Sequence, residues 1–254
     1  MAGRLEGRVA LVTGASSGLG RRFSGVMAMQ GARVMLAARR IERLEEAVNH
    51  IRQDGGEAEA VACDVTNEAS VMAAYDAAEE RFGVVDTVVN NAGMTTSATA
   101  LEQSAEEFGQ VLDLNVKSVF IVAREGARRM IRAGASFGER GRIINIASIG
   151  ARHVLPGVAA YCASKAACAM LTRSLAREWA KHGVNVNSLS PGYVATELNT
   201  EWLNSESGQK MLARTARRRV MDASSLDEAL LFLASDGAKF VTGADLVVDD
   251  GQTL

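Results

Sequence analysis

Short apolar segments alternate with helical patterns along nearly the whole sequence, and this alternation constrains the fold more than any other feature. Such a chain forms a parallel sheet, because each right-handed crossover returns the next strand to the sheet and lays its helix on one face. The pattern predicts strands at residues 8–12, 32–37, 58–63, 84–89, 142–147, 184–189 and 245–248. It predicts helices ending near residue 30 and spanning 41–53, 67–82, 104–133, 161–181 and 225–235, with an irregular helical segment over 197–219. The expected fold class is α/β, a doubly wound parallel sheet of about seven strands with helices on both faces.

The 254 residues contain no internal repeat, low-complexity segment or linker, so the sequence predicts one domain over residues 1–254. Both prolines, Pro156 and Pro191, fall in predicted loops and interrupt no helix or strand interior. Residues 134–141 are predicted to form a loop as well.

Charge and cysteine content exclude several classes of protein. The formal net charge of −2 argues against a nucleic acid or an anionic membrane as the partner. No apolar run approaches the roughly 18 residues of a membrane span, and the first residues lack the layout of a signal peptide. Three cysteines without paired spacing indicate free thiols in a reducing compartment, so we expect a cytoplasmic location. That spacing and three scattered histidines indicate no metal site.

The first predicted strand leads into a glycine-rich turn, Thr13-Gly14-Ala15-Ser16-Ser17-Gly18-Leu19-Gly20, and then into a helix. This order favours a phosphate site, because glycines let the backbone approach a pyrophosphate and the helix amino terminus offers unpaired N–H groups. The spacing is Gly-x-x-x-Gly-x-Gly rather than Gly-x-Gly-x-x-Gly. On this stretch alone, an ordinary glycine-rich turn is the alternative.

Two arginines follow the second predicted strand and bear on the choice of cofactor. Dinucleotide folds for NAD usually carry an acid here for the ribose hydroxyls, whereas an arginine accommodates the 2′-phosphate of NADP. This chain has Arg39 and Arg40, and its first acid, Glu42, comes only in the next helix. The sequence therefore favours NADPH over NADH. The alternative is that both arginines are solvated, although cations at a helix start are unfavourable against the helix dipole.

Three side chains around the fifth strand can carry proton chemistry on a carbonyl group. Ser148 follows this strand directly, at the edge where open α/β sheets place their ligands. Tyr161 and Lys165 are four residues apart and so share one helix face. The Lys165 cation would favour the phenolate form of Tyr161, and Ser148 would donate a hydrogen bond to a substrate oxygen. Taken alone, a Tyr-x-x-x-Lys pair is more often part of a solvated helix surface.

Two further stretches add polar groups or small residues at expected ligand positions. Asn90-Asn91-Ala92-Gly93 follows the fourth strand, where small residues indicate backbone lying against a ligand. Asn115 falls within the long helix predicted over 104–133, where asparagine has poor propensity. Such a residue is usually either exposed or buried with fixed partners.

Together these motifs resemble the classical short-chain dehydrogenase/reductase family, from Val9 to Gly251. The motifs that match in order and spacing are Thr-Gly-x-x-x-Gly-x-Gly at 13–20, Asn-Asn-Ala-Gly at 90–93, Ser148, Tyr-x-x-x-Lys at 161–165 and Pro-Gly at 191–192. The resemblance implies a Rossmann-like fold, NADP-preferring carbonyl or 3-oxoacyl reductase chemistry, and a homotetramer or homodimer.

The resemblance also implies roles for single residues. Tyr161 would be the general acid in reduction and the general base in oxidation, and Ser148 would polarise the substrate carbonyl. Lys165 would hold the nicotinamide ribose, and Asn115 would help to hold a water that completes a proton relay. A larger set would line the cofactor from its phosphates and adenine to its nicotinamide: Gly14, Ser16, Ser17, Gly18, Leu19, Gly20, Arg39, Arg40, Asp64, Val65, Asn91, Ala92, Gly93, Tyr161, Lys165, Pro191, Gly192, Val194 and Thr196.

The substrate pocket is expected between the loop 149–158 and a mobile lid at about 194–220, which would close over the substrate. Candidate pocket residues, besides Ser148 and Tyr161, are His153, Tyr193 and Trp202. His153 has the alternative of being an ordinary loop residue, and Trp202 that of packing within the lid.

The chain departs from the family pattern in two places. Where members often carry prolines after the lid, this sequence begins Arg217-Arg218-Arg219 and has none through residue 224. Where members often end Val-Asp-Gly-Gly, it reads Val248-Asp249-Asp250-Gly251. These departures bear on the rigidity of the lid and on subunit contacts, and neither touches the proton relay.

The function that the sequence favours is reduction of a small ketone by NADPH. One alternative is a 3-oxoacyl carrier-protein reductase, in which arginines such as Arg128 would meet an acidic carrier; another is an alcohol dehydrogenase running in the oxidative direction. A cofactor-sensing protein without catalysis is disfavoured, because the residues of the proton relay are all present.

Overall fold

The computed structural model describes residues 3–134, 138–196 and 200–254. Within these ranges seven parallel strands form one sheet, in the order β3-β2-β1-β4-β5-β6-β7. The strands are β1 (Val9–Thr13), β2 (Arg33–Ala38), β3 (Glu57–Ala62), β4 (Thr87–Asn90), β5 (Gly141–Ile146), β6 (Val184–Pro191) and β7 (Asp245–Val248). The predicted fold class is confirmed, with strand ends that differ from the sequence pattern by a few residues at most.

Helices cover both faces of the sheet. One face carries α1 (Gly18–Met29), α2 (Ile41–Gln53) and α9 (Asp227–Ala234), and the other carries α3 (Glu68–Phe82), α5 (Ser118–Ala133) and α6 (Ala159–Trp179). Successive side chains of a strand point to opposite faces, so Ala10 and Val12 enter the first core while Val9 and Leu11 enter the second. Burial on both sides explains the unbroken apolar run from Val9 to Val12 in the central strand β1.

The helix predicted over residues 104–133 is interrupted. Here α4 (Ala105–Leu112) is followed by one π-helical turn, Asp113–Lys117, before α5 begins. Turns of this kind are rare and occur frequently at functional sites, and Asn115 lies at the centre of this one.

The segment predicted to be irregular contains two short helices, α7 (Thr200–Asn204) and α8 (Glu206–Leu212). Its residues 197–199 lie outside the described residues, as do residues 135–137 of the predicted loop 134–141. The last predicted helix begins at Asp227, after a 3₁₀ turn over Ala223–Leu226. Among the helices described, none is long and apolar enough to cross a membrane.

The strand order creates a crevice at one edge of the sheet. The chain leaves β1 toward β2 and β3 on one side, and then crosses to β4 on the other. In open α/β sheets the carboxyl ends of strands at such a reversal border the ligand site. The residues that follow β1, β4, β5 and β6 therefore border the candidate site.

Candidate active site

The glycine-rich turn after β1 and the loop after β4 are joined by Asn91. Its backbone N–H donates to Thr13 Oγ1 at 3.1 Å, and its Nδ2 donates to the carbonyl oxygens of Thr13 and Gly14 at 3.1 and 3.3 Å. The Ala92 N–H also donates to Thr13 Oγ1, at 3.2 Å. Two segments predicted to line a cofactor thus form one surface at the crevice.

Close packing requires two glycines of this turn, whether or not a ligand is bound. Gly14 has a φ of 65°, and a Cβ there would lie 2.9 Å from the Cα of Ala92. A Cβ on Gly20 would lie 2.4 Å from the carbonyl oxygen of Gly14. Gly18 differs, since its φ of 53° also favours glycine but a Cβ there would approach only Thr196, at 3.9 Å. Space is therefore left next to Gly18, at the amino terminus of α1, with Thr196 on its far side.

Arg40, rather than Arg39, contacts the glycine-rich turn. Its Nη2 donates to Ser16 Oγ at 3.0 Å and to Ser17 Oγ at 3.2 Å. The Ser17 side chain precedes α1 but does not cap it, so the first N–H groups of the helix remain available to a ligand. The turn therefore presents backbone donors, two hydroxyls and one guanidinium together.

Arg39 is exposed and faces Asp64, just beyond β3. Hydrogen bonds from Thr66 to the Asp64 carboxylate, and then the charge of Arg39, hold the pKa of Asp64 below its ordinary value. Val65 is buried and packs in the core. Of the predicted adenine neighbours, only Asp64 presents a polar side chain.

Ser148 and Tyr161 both border Gly150. The Ser148 Oγ accepts the Gly150 N–H at 3.0 Å, which fixes the hydroxyl at the start of a 3₁₀ turn over Ile149–Ala151. A Cβ on Gly150 would lie 3.4 Å from Ser148 Oγ and 3.5 Å from Tyr161 Cε1. The Ser148 hydroxyl and the Tyr161 ring therefore lie close together, both next to Gly150.

Lys165 lies beside Tyr161 and is 6% exposed. Its Nζ donates to the carbonyl oxygen of Ile146, the last residue of β5, at 2.7 Å, and lies 5.6 Å from the centre of the Tyr161 ring. A buried ammonium needs such a partner to offset its lost hydration. This bond also ties α6, which carries both residues, to the edge of the sheet.

Asn115 is fully buried and joins the π-helical turn to the loop after β4. Its Oδ1 accepts the Met94 N–H at 2.8 Å, and its Nδ2 donates to the Met94 carbonyl oxygen at 2.9 Å. A Cβ on Gly93 would lie 3.2 Å from Asn115 Oδ1 and 3.7 Å from Lys165 Nζ. Of the two environments expected for this asparagine, the buried one with fixed partners is confirmed.

Ser164 is a site residue that the sequence reasoning missed. This buried hydroxyl accepts a hydrogen bond from Asn115 Nδ2 at 2.9 Å and donates one to the carbonyl oxygen of Tyr161 at 2.7 Å. A serine within a helix often donates a hydrogen bond to a carbonyl oxygen of the preceding turn, so the bond from Ser164 to Tyr161 could have been predicted from the sequence. The bond between Ser164 and Asn115 joins residues 49 positions apart, and no local pattern predicts it.

The start of the predicted lid approaches Tyr161. Tyr193 stacks on Trp202 with ring centroids 5.6 Å apart. Burial raises the pKa of Tyr193, and the nearby Cys162 and Tyr161 add to the shift. The structure thus brings Tyr193 and Trp202 to the region of Tyr161, whereas His153 is exposed on its loop and its substrate contact stays a prediction.

Of the residues that follow β6, some contact the carboxyl-terminal tail and one lies at the crevice. Gly192 donates its N–H to the Val248 carbonyl oxygen at 2.9 Å, and a Cβ there would lie 2.3 Å from Gln252 Oε1. Val194 is buried and pairs with Met221. Pro191 ends β6, and Thr196 is the neighbour of Gly18 noted above.

Known proteins match almost the whole chain. The family model described as enoyl-(acyl carrier protein) reductase matches residues 14–253. The D-threitol dehydrogenase of Mycolicibacterium smegmatis is 38% identical over 251 residues, which cover 99% of this chain and 95% of that protein. The gluconate 5-dehydrogenase of Gluconobacter oxydans is 37% identical over 251 residues, which cover 98% and 96%.

A solved structure has the same architecture. The crystal structure of a gluconate 5-dehydrogenase from Burkholderia cenocepacia, in complex with NADP and tartrate, superposes with a TM-score of 0.92. Its sequence is 35% identical, and the match covers 98% of this chain and 96% of that one. The fold of this chain is therefore shared with a dehydrogenase of known structure.

Proposed function

We propose that this protein reduces a small ketone with NADPH. The chain belongs to the classical short-chain dehydrogenase/reductase family, whose members are oxidoreductases that act on CH–OH groups. The same site would run in reverse on a secondary alcohol. The proposal rests on the proximity of Ser148, Tyr161 and Lys165 to one another, with Lys165 next to the loop that follows β4.

In the proposed reduction, Tyr161 delivers a proton to the carbonyl oxygen while Ser148 donates a hydrogen bond to the same oxygen. The reduced nicotinamide supplies the hydride that the carbonyl carbon receives. The Ser148 Oγ already accepts from Gly150, so its own O–H hydrogen is free to turn toward substrate. A donor fixed in this way stabilises the negative charge that develops on the oxygen, without reorganisation during the reaction.

Lys165 and Asn115 support the proton transfer. The Lys165 ammonium lies 5.6 Å from the centre of the Tyr161 ring, and its positive charge would stabilise negative charge that develops on the tyrosine oxygen during oxidation of an alcohol. After its bond to Ile146, the ammonium retains hydrogens with which to hold the cofactor ribose. Asn115 fixes the backbone of Gly93 and Met94 next to Lys165, and we assign it to the proton relay with a bound water.

NADPH is the proposed cofactor because of the charge beside the glycine-rich turn. Gly14 and Gly18 have the positive φ that brings backbone N–H groups toward a pyrophosphate. Arg40, held against Ser16 and Ser17, would pair with a 2′-phosphate, and Arg39 lies next to it. The presence of NADP in the Burkholderia complex supports the same choice.

Replacing Arg40 with Ala is expected to raise the KM for NADPH by about tenfold or more, because a charge-assisted hydrogen bond to phosphate is lost. The KM for NADH should change little, since NADH has no 2′-phosphate. We expect a smaller effect of the same kind from Arg39→Ala. Steady-state kinetics with both cofactors, at a saturating concentration of substrate, measure the difference.

The control is Arg128→Ala, which removes an exposed arginine from the opposite face of the sheet. It should leave both KM values near those of the unaltered protein. Equal losses for NADPH and NADH in the Arg40 variant would contradict the cofactor assignment.

The proposed activity is tested by oxidation of NADPH and NADH in the presence of ketones, diketones and 3-oxoacyl thioesters, and by reduction of NADP⁺ with secondary alcohols and polyols. We expect turnover with NADPH on small ketones, because the Ser148 hydroxyl and the Tyr161 ring lie next to each other beside Gly150. Turnover on 3-oxoacyl thioesters alone would support the carrier-protein alternative. Tight NADPH binding with no turnover on any class, in either direction, would reject the reductase.

A homodimer or homotetramer and a cytoplasmic location complete the proposal. Phe108, Phe120 and Met170, on α4, α5 and α6, are between 37% and 58% exposed, and burial between copies would remove this apolar surface from water. The three cysteines are free, as a reducing compartment favours.

A further inference from the structure

The two places where the sequence departs from the family pattern lie against each other. Arg219 donates to Asp250 through Nε at 2.6 Å and through Nη2 at 3.2 Å, one bond to each carboxylate oxygen. Arg217 Nε lies 3.2 Å from Asp250 Oδ1. One carboxylate at the carboxyl terminus thus holds two guanidinium groups at the end of the lid.

The backbone is adapted to this cluster. Within the described ranges, only two non-glycine residues have φ in the left-handed region: Arg218, at 52°, and Asp250, at 53°. Arg218 lies between the two arginines, and Asp250 is their partner. Such a conformation is uncommon for residues with a Cβ and persists where surrounding contacts hold it. The ion pairs supply contacts of that kind on both sides.

Burial and charge both stabilise the contact of Asp250 with Arg217 and Arg219. The Asp250 side chain is 16% exposed, although those of Arg217 and Arg219 are about two-thirds exposed. The hydrogen bond from Arg219 holds the pKa of Asp250 below its ordinary value, so the carboxylate is charged throughout the neutral range. Single exposed ion pairs contribute little, whereas a bidentate arginine joined by a second cation forms a network.

The same tail also holds the beginning of the lid. The Tyr193 N–H donates to Gln252 Oε1 at 2.6 Å, and Gln252 Nε2 donates to the carbonyl oxygen of Arg219 at 3.2 Å. The Met221 N–H donates to the Tyr193 carbonyl oxygen at 3.0 Å, and Val194 pairs with Met221. Residues 249–252 therefore connect the two ends of the segment between Tyr193 and Met221.

We propose that Asp250 is a positioning residue for the substrate lid: through Arg217 and Arg219 it fixes the carboxyl-terminal end of the lid and so determines the affinity for the carbonyl substrate. The path to the substrate runs from the tail through Tyr193 to Trp202, which stacks on it. The effect on affinity rests on the reductase function proposed above, but the lid contact does not.

Asp250→Gly and Asp250→Asn test the proposal together. Glycine is the residue often found here in the family and relieves the left-handed backbone, whereas asparagine keeps the shape and removes the charge. A lid released from its anchor closes less often, and the apparent substrate affinity falls with the closed fraction. We expect the KM for an uncharged ketone to rise by about threefold to tenfold in both variants, with kcat within about twofold.

Two further readouts separate this role from a general loss of structure. Backbone amides between residues 200 and 221 should exchange hydrogen faster in both variants, while those of β1, β4 and β5 keep their protection. Raising the salt concentration to about 1 M should raise the KM of the unaltered protein toward that of Asp250→Asn and leave the variant unchanged, because salt screens exposed ion pairs. The control, Lys210→Ala, removes the ion pair with Glu206 inside α8, and should reproduce none of these effects.

Unchanged hydrogen exchange over the lid in both Asp250 variants would overturn the proposal, whether or not the protein turns over a ketone. Faster exchange with an unchanged KM would also overturn it, since the anchor would then not govern affinity. If the unaltered protein has no ketone activity, the reductase function fails on its own, and exchange alone decides whether Asp250 anchors the lid.

Discussion

Replacing Tyr161 with Phe is expected to lower turnover by about 10²–10⁴-fold, because it removes only the phenol hydroxyl, which is the proposed proton donor, and keeps the ring. The phenol ring lies beside Lys165 and Gly150, and Phe keeps those contacts. The Ser148 hydroxyl stays in place, fixed by the N–H of Gly150. The variant should therefore retain the transition-state stabilisation that comes from Ser148, but not the proton transfer.

Two measurements accompany the turnover of Tyr161→Phe. NADPH binding, followed by fluorescence titration, should stay within about twofold of the unaltered protein, because the phenol hydroxyl adds at most one hydrogen bond to the cofactor. Thermal unfolding should show an intact fold. Turnover within about tenfold of the unaltered protein would remove Tyr161 from the proton transfer and leave the reductase mechanism without its acid.

The fold was readable from sequence because it depends on local patterns. Helix α2 was predicted with its observed limits, Ile41–Gln53, and its buried residues, Leu44, Ala47, Val48 and Ile51, recur at the spacing of one helix face. Strand β7 was predicted just as closely. Each prediction needs only the neighbouring residues, and the crossover rule then supplies the parallel topology.

Prediction was less complete where the outcome depends on distant residues. Arg39 and Arg40 are equivalent in the sequence, yet only Arg40 donates to Ser16 and Ser17. The difference depends on the direction in which each side chain leaves the end of β2 and on the position of a turn more than twenty residues earlier. Both arginines were predicted to line the cofactor, and only the structure shows that Arg40 contacts the turn.

The lid shows the same division between local and distant information. The sequence located the segment and identified both departures from the family pattern, but gave no reason to connect them. Arg219 and Asp250 are 31 residues apart and meet because β7 returns the chain to the end of β6. A pairing of this kind depends on the register of two strands and on the turn that follows, which no local pattern encodes.

Replacing Asn115 with Leu is expected to destabilise the protein by about 3 kcal/mol and to lower turnover by about 10²-fold. Leucine has the same branching and number of side-chain heavy atoms but makes none of the three hydrogen bonds to Met94 and Ser164. The N–H and carbonyl groups of Met94 would lose their partner in a site where Asn115 is fully buried. The backbone beside Gly93 and Lys165 would shift, and misplacement of about 1 Å is costly for a reaction that depends on alignment.

Two milder variants divide this effect into its parts. Asn115→Asp keeps an oxygen that accepts the Met94 N–H but loses the donor to Ser164 and to the Met94 carbonyl oxygen, and it also places a charge near Lys165. Ser164→Ala removes only the bond from Asn115 and the bond to the Tyr161 carbonyl oxygen.

We expect the loss of unfolding free energy, measured by denaturant titration, to be smaller for Ser164→Ala than for Asn115→Leu. The pH dependence of turnover should shift for Asn115→Asp but not for Ser164→Ala, because only the first changes the charge next to Lys165. If Asn115→Leu lost stability yet kept its turnover, the asparagine would hold the π-helical turn in place without taking part in the proton relay.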